Sequence, residues 1–155
     1  MSPNGTWRPW RLLLAMVLAV QGSSAALAAA EGGLYIAGAG SSFQEAAERA
    51  LAQNPGSSRF FVLTLPGEAA ALGSRATPAQ QRLRERVLAA NGVLLVCQRD
   101  LDNGRISADG LATGVVPVRG SSNELPAGQR YFANENPANL PAANKALRRL
   151  RSTCA

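Results

Sequence analysis

The sequence predicts an α/β fold: a single three-layer domain with a mostly parallel sheet of four to five strands and a C-terminal helix, preceded by a cleaved signal peptide. From residue 34 onward, short apolar runs alternate with segments of helical periodicity. This alternation is typical of parallel strands joined by crossover helices. The chain has 155 residues, which is enough to bury the core of one domain.

Residues 1–30 are interpreted as a signal peptide. Arg8 and Arg11 supply a positive start, residues 12–20 are apolar without interruption, and Ala28-Ala29-Ala30 matches the A-x-A pattern that precedes a cleavage site. A helical run of this length covers only about half of a ~30 Å hydrocarbon core, so no stable membrane anchor is expected. The sequence therefore predicts a periplasmic or secreted protein whose mature domain covers residues 31–155.

The mature domain opens with a strand followed by a capped helix. Residues 34–37 (LYIA) are apolar and end in a glycine-rich turn. Ser42 and Glu45 then have the spacing of a capping box, in which each side chain accepts a hydrogen bond from the other residue's backbone amide. Apolar residues recur at helical spacing after this cap, which predicts a helix over 43–53.

The next unit carries the clearest pattern in the chain. Residues 60–65 (FFVLTL) predict a second strand. The pattern of residues 68–75 fits either a helical turn or a loop. Residues 78–90 predict a helix, with Thr77 as its N-terminal cap. A proline occupies the first helical position, and Asn-Gly ends the helix. Residues 93–97 (VLLVC) contain no polar side chain, which predicts an interior strand buried on both faces.

The last strand and the last helix follow a short, polar connection. Asp100 and Asp102 in that connection are interpreted as solvated side chains of a short helix. Residues 115–118 (VVPV) predict an edge strand, because Pro117 has no N–H to donate to a ladder. The segment 121–155 is predicted as an extension that ends in an amphipathic helix over 139–152. Its apolar stripe consists of Leu140, Ala143, Leu147, Leu150 and Cys154.

Composition excludes several classes of function. The chain has no histidine and two cysteines, Cys97 and Cys154, so histidine-based catalysis and zinc-ligand spacings are excluded. The net charge is +6, but the basic residues are scattered rather than collected in a stripe with exposed aromatic side chains. We therefore expect no nucleic-acid partner, no metal and no cofactor, and we leave open whether the protein is an enzyme.

The segment 60–120 resembles the DsrE/DsrF-like family of small α/β sulfur-relay proteins. The resemblance rests on RLRERVLAANGVLLVCQRDLDNGRISADGL and the strand GVVPV that follows it. It implies a cysteine, at the position of Cys97, that carries sulfur as a persulfide, and it also implies sulfur-relay or redox protein partners and a homo-oligomer. Two features depart from the family pattern, namely the signal peptide and the extension with its second cysteine.

Three interpretations of Cys97 stay open. It lies at the carboxyl end of a predicted strand, where open α/β sheets bind ligands, with Arg99 close by to stabilise a thiolate. It could therefore relay sulfur as the one catalytic residue, it could pair with Cys154 as two cysteines of an exported chain tend to do, or it could be an inert buried thiol. The alternative to sulfur relay is a non-catalytic domain that binds a ligand or partner and has a structural disulfide.

A second candidate site lies after the first predicted strand. Gly40, Ser41 and Ser42 open a helix, so their amides are candidate ligands for a small anion, together with Arg99. The segment lacks the third glycine of a dinucleotide fingerprint and the lysine of a P-loop. The expected ligand is therefore a small anion or a sulfur species.

Overall fold

The structure, a computed structural model, describes residues 33–56, 59–120 and 140–155, with backbone only at 140–144. The predicted signal peptide at 1–30 and the whole of the segment 121–139 lie outside the described residues.

Four strands and four α-helices form the described part of the domain. The strands are β1 (Leu34–Ala37), β2 (Phe60–Thr64), β3 (Gly92–Cys97) and β4 (Val115–Val118). The helices are α1 (Phe43–Gln53), α2 (Pro78–Ala89), α3 (Gln98–Asp102) and α4 (Leu140–Cys154). Two 3₁₀ helices, Pro66–Leu72 and Ala108–Gly110, complete the connections. The predicted strands are confirmed to within a residue at each end, and the open segment after β2 is helical.

The sheet is entirely parallel, with its strands in the order β1-β2-β3-β4. β3 lies between β2 and β4, and Leu94, Leu95 and Val96 have no exposed surface, so the predicted interior position of this apolar run is confirmed. β4 is an edge strand, as the proline predicted, and Pro117 pairs in register with Val96.

Different helices pack on the two faces of the sheet. Alternate strand residues point to opposite faces, and one set, including Tyr35, Val62 and Val96, packs with α1 and α2. Right-handed crossovers place connecting helices on the same face when strands are added in one direction. The opposite face packs against α4, which follows the last strand. The result is the predicted three-layer α/β arrangement.

Both predicted capping boxes are present. The hydroxyl of Ser42 accepts from the amide of Glu45 at 3.1 Å, and the carboxylate of Glu45 accepts from the amide of Ser42 at 2.8 Å. Thr77 and Gln80 make the same pair of hydrogen bonds at the start of α2. These local contacts explain why both helices begin where the sequence indicates.

Candidate functional site

A disulfide bond joins the end of the interior strand to the end of the last helix. Cys97 is the last residue of β3 and Cys154 the last residue of α4, with their Cα atoms 5.1 Å apart. The predicted Cys97–Cys154 pairing is therefore confirmed. Both residues are buried, with 0% of Cys97 and 3% of Cys154 exposed.

Strand and helix periodicity together position the two sulfur atoms. Leu95 and Cys97 lie two residues apart on β3 and so point to the same face of the sheet, the one covered by α4. On α4, Ala146, Leu150 and Cys154 are spaced by four residues and are all buried against that face. These three residues thus set the rotation of the helix and turn its cysteine toward the end of β3.

An open cleft lies beside the disulfide, just after the carboxyl ends of β3 and β4. Its volume is about 500 Å³. Ligands of open α/β sheets bind outside the carboxyl ends of the strands, which is the edge where this cleft lies. The bordering residues come from α3, the end of β4 and the end of α4: Gln98, Arg99, Asp102, Arg119, Gly120, Cys154 and Ala155.

Arg99 links α3 to the end of α4 at the cleft. Its Nη1 donates to the main-chain oxygen of Ala155, and its Nε lies 3.6 Å from the Asp100 carboxylate. Nε of Arg151 adds a bond to the carbonyl oxygen of Gly120 at 3.3 Å. These bonds hold the end of α4 against the segments that follow β3 and β4.

Arg119 is the cation of the cleft that is available to a ligand. The Asp102 carboxylate accepts a hydrogen bond from Gln98 at 2.8 Å, and Arg99 is engaged with Ala155 and Asp100. Arg119 is exposed and has no hydrogen-bond or ion-pair partner within the described ranges.

Asp100 differs from its prediction. It has no exposed surface, whereas Asp102 is exposed as expected. α3 is a single turn, and the carbonyl oxygen of Asp100 accepts from the amide of Ile106 at 2.9 Å, so the chain turns back after this helix. Neither carboxylate oxygen has a hydrogen-bond partner among the described residues, and Arg99 is the neighbouring cation.

The segment containing Gly40, Ser41 and Ser42 lies away from the cleft. It follows β1, two strands from β3, which is about 10 Å across the sheet. Gly38 before it has φ +98°, and a Cβ there would lie 2.9 Å from Leu65 Cβ, so this turn requires glycine. The structure thus brings Arg99 to the disulfide but not these three residues.

The amides at the start of α1 already have acceptors within the chain. Glu45 accepts from Ser42, and the Glu68 carboxylate accepts from Phe43 at 2.9 Å. The hydrogen bond from the Ser42 backbone lowers the pKa of Glu45 below its ordinary value. A ligand anion at this helix would therefore compete with two carboxylates of the protein itself.

Several residues of the cleft were missed by the sequence analysis, above all Arg119, Gly120 and Ala155. The rule that was applied to Cys97, that ligands bind after the carboxyl ends of strands, applies equally to the residues after β4. Applied to β4, that rule would have pointed to Arg119 and Gly120, whereas Ala155 is brought in only by the packing of α4.

Comparisons with known proteins add no family to this description. The chain matches no protein-family model, no curated protein and no solved structure. Within residues 33–56, 59–120 and 140–155, no helix has the length and apolar character needed to cross a membrane. The same residues contain no group of three or more potential metal ligands. What is established is a small α/β domain with a four-stranded, all-parallel sheet and a Cys97–Cys154 disulfide.

Proposed function

We propose that this protein is an exported binding domain that takes a small anion, including anions of sulfur, in the cleft beside the disulfide. The observation that carries the proposal is the position of Arg119, an exposed cation without a partner among the described residues, in a cleft at the carboxyl edge of the sheet. A guanidinium group offers several donors in a fixed plane, which suits an oxyanion.

Binding is better supported than turnover. The chain has no histidine, and both of its cysteines are held in the disulfide, so the oxidised protein presents no thiol nucleophile. The disulfide contributes instead to the shape of the cleft, because it fixes Cys154 and hence the wall formed by the end of α4.

Export is supported by two independent features. The first 30 residues have the charged start, apolar run and A-x-A ending of a signal peptide. The disulfide indicates an oxidising compartment, since thiols of cytosolic proteins are kept reduced. Together they favour the periplasm or the extracellular space as the place of action.

Substituting Arg119, the cation without a partner among the described residues, tests the proposed binding function. We expect Arg119→Gln to weaken sulfate binding about tenfold, or about 1.4 kcal/mol, through the loss of one charge-assisted hydrogen bond. Titration of the folded protein with sodium sulfate, followed by amide chemical shifts, measures this, with sodium chloride at equal ionic strength as the reference. Arg82→Gln is the matched control, because Arg82 is exposed on α2, on the other side of the sheet from α4. Equal affinities of both variants, or no saturable shifts, would contradict the proposal.

A second candidate is the DsrE-like sulfur relay through Cys97. It is favoured by the position of Cys97 at the carboxyl end of an interior strand, next to the cleft and to Arg99. This function needs the disulfide to open, because a thiolate at Cys97 is the nucleophile that takes a sulfur atom from a sulfane donor as a persulfide.

A count of free thiols separates this candidate from a purely structural disulfide. Protein isolated from the periplasm under acid quench, then treated with a thiol-reactive reagent under denaturing conditions, is expected to show no free thiol if the disulfide is structural. One reactive cysteine per chain, or a persulfide on the peptide containing Cys97, is the result expected of a relay protein.

A further inference from the structure

The two cysteines of the disulfide differ in their position relative to the cleft. Cys154 is among the residues that border the cleft, and 3% of it is exposed. Cys97 has no exposed surface, and β3, on which it lies, is enclosed by β2 and β4. An attacking group in the cleft therefore meets Cys154 before it meets Cys97.

The cleft also selects the kind of attacking group. Disulfides are opened by nucleophilic sulfur, at a rate that depends on which sulfur atom can be reached. The positive charge of Arg119 favours the binding of a negatively charged reagent in the cleft. A small anion with a nucleophilic sulfur atom, such as sulfite, meets both conditions.

We propose that such an anion attacks Cys154, and that Cys97 is the leaving group. This inference rests on the proposed binding of anions in the cleft. With sulfite, the sulfur lone pair forms a bond to Sγ of Cys154 while the bond between the two Sγ atoms breaks. The electron pair leaves with Cys97 as a thiolate, which takes a proton from water. The sulfite sulfur is oxidised and Cys97 is reduced, so no further oxidant is needed.

A hydrogen-bond acceptor lies beside Cys97 for the thiol that forms once the leaving thiolate is protonated. The carbonyl oxygen of Thr153 lies 4.0 Å from Sγ of Cys97, within reach of a hydrogen bond from the thiol that the reaction produces. The product carries its new sulfonate on Cys154, at the border of the cleft that contains Arg119. In this reaction Cys154, on α4, accepts the sulfur atom of the anion.

Peptide mapping after reaction with sulfite tests this assignment. The folded, oxidised protein is incubated with sulfite, its thiols are alkylated at once, and it is digested with trypsin. Cleavage after Arg86, Arg99 and Arg151 separates Cys97, in peptide 87–99, from Cys154, in peptide 152–155. We expect the sulfonate on 152–155 and the alkyl group on 87–99, with about a tenfold preference over the reverse pattern because access decides which sulfur is attacked. Protein unfolded in urea is the control, and it should show both patterns.

The outcomes separate this inference from the proposed function. Sulfonate on 87–99, or equal labelling of the two peptides in the folded protein, overturns the assignment to Cys154 and leaves anion binding intact. Saturable sulfate shifts that depend on Arg119, with no sulfonate formed by sulfite, also overturn only the assignment. Absence of both the sulfonate and the shifts overturns the proposed function as well. Arg119→Gln should slow sulfonate formation several-fold in the folded protein, and Arg82→Gln should leave its rate unchanged.

Discussion

Removing the disulfide is expected to lower the free energy of unfolding by about 4 kcal/mol, the chain-entropy value for a loop of this length. The bond closes a sequence separation of 57 residues. Replacing both residues, Cys97→Ala with Cys154→Ala, avoids an unpaired thiol. Urea unfolding at neutral pH measures the loss, and amide hydrogen exchange should show that α4 loses protection before the strands do.

A reductant supplies the matched control for this variant. The wild-type protein with a phosphine reductant should lose a similar free energy of unfolding, while the double-alanine variant should not respond to the reductant. A double-alanine variant as stable as the oxidised wild type would contradict the view that the bond fastens α4 to the sheet.

Gly92→Ala is expected to destabilise the domain by about 1–3 kcal/mol through overpacking. A Cβ at this first residue of β3 would lie 2.6 Å from the ring atoms Cε2 and Cζ of Phe60 and 2.6 Å from Cγ1 of Val87. Both neighbours are fully buried, so neither can move aside without disturbing the core.

Gly67→Ala is the control, since a Cβ at Gly67 meets no atom within 4 Å. This change should be neutral or stabilise by up to about 1 kcal/mol through the unfolded state. In addition, Phe60→Leu should reduce the cost of Gly92→Ala in a double-mutant cycle, because it removes the ring that the new methyl group meets. Equal unfolding midpoints for Gly92→Ala and the wild type would show that the strand start is looser than the structure indicates.

Features set by neighbouring residues could be predicted from the sequence. The caps at Ser42 and Thr77 depend on side chains three residues away, and the interior position of β3 follows from an apolar run with no polar face. The pairing of Cys97 with Cys154 remained one of three alternatives, because it depends on which end of the sheet α4 reaches. No local pattern contains that information.

Tertiary packing decided the features that could not be predicted. Helical spacing separates Asp100 from Asp102 around a short helix, but it does not show which of the two is buried, and in the structure Asp100 has no exposed surface. The cleft likewise combines residues from three separate segments. Since no motif spans those segments, the cleft is visible only when the chain is folded.

The sequential strand order has a consequence for biosynthesis. α1 and α2, which pack on one face of the sheet, are synthesised between the strands. The helix that packs on the opposite face, α4, follows all four strands in the chain. A chain that emerges from its amino end therefore cannot complete its core until residues 140–154 have appeared. One face of the sheet therefore has no helix packed on it until the end of the chain is made, and the Cys97–Cys154 bond can form only after α4 has been synthesised.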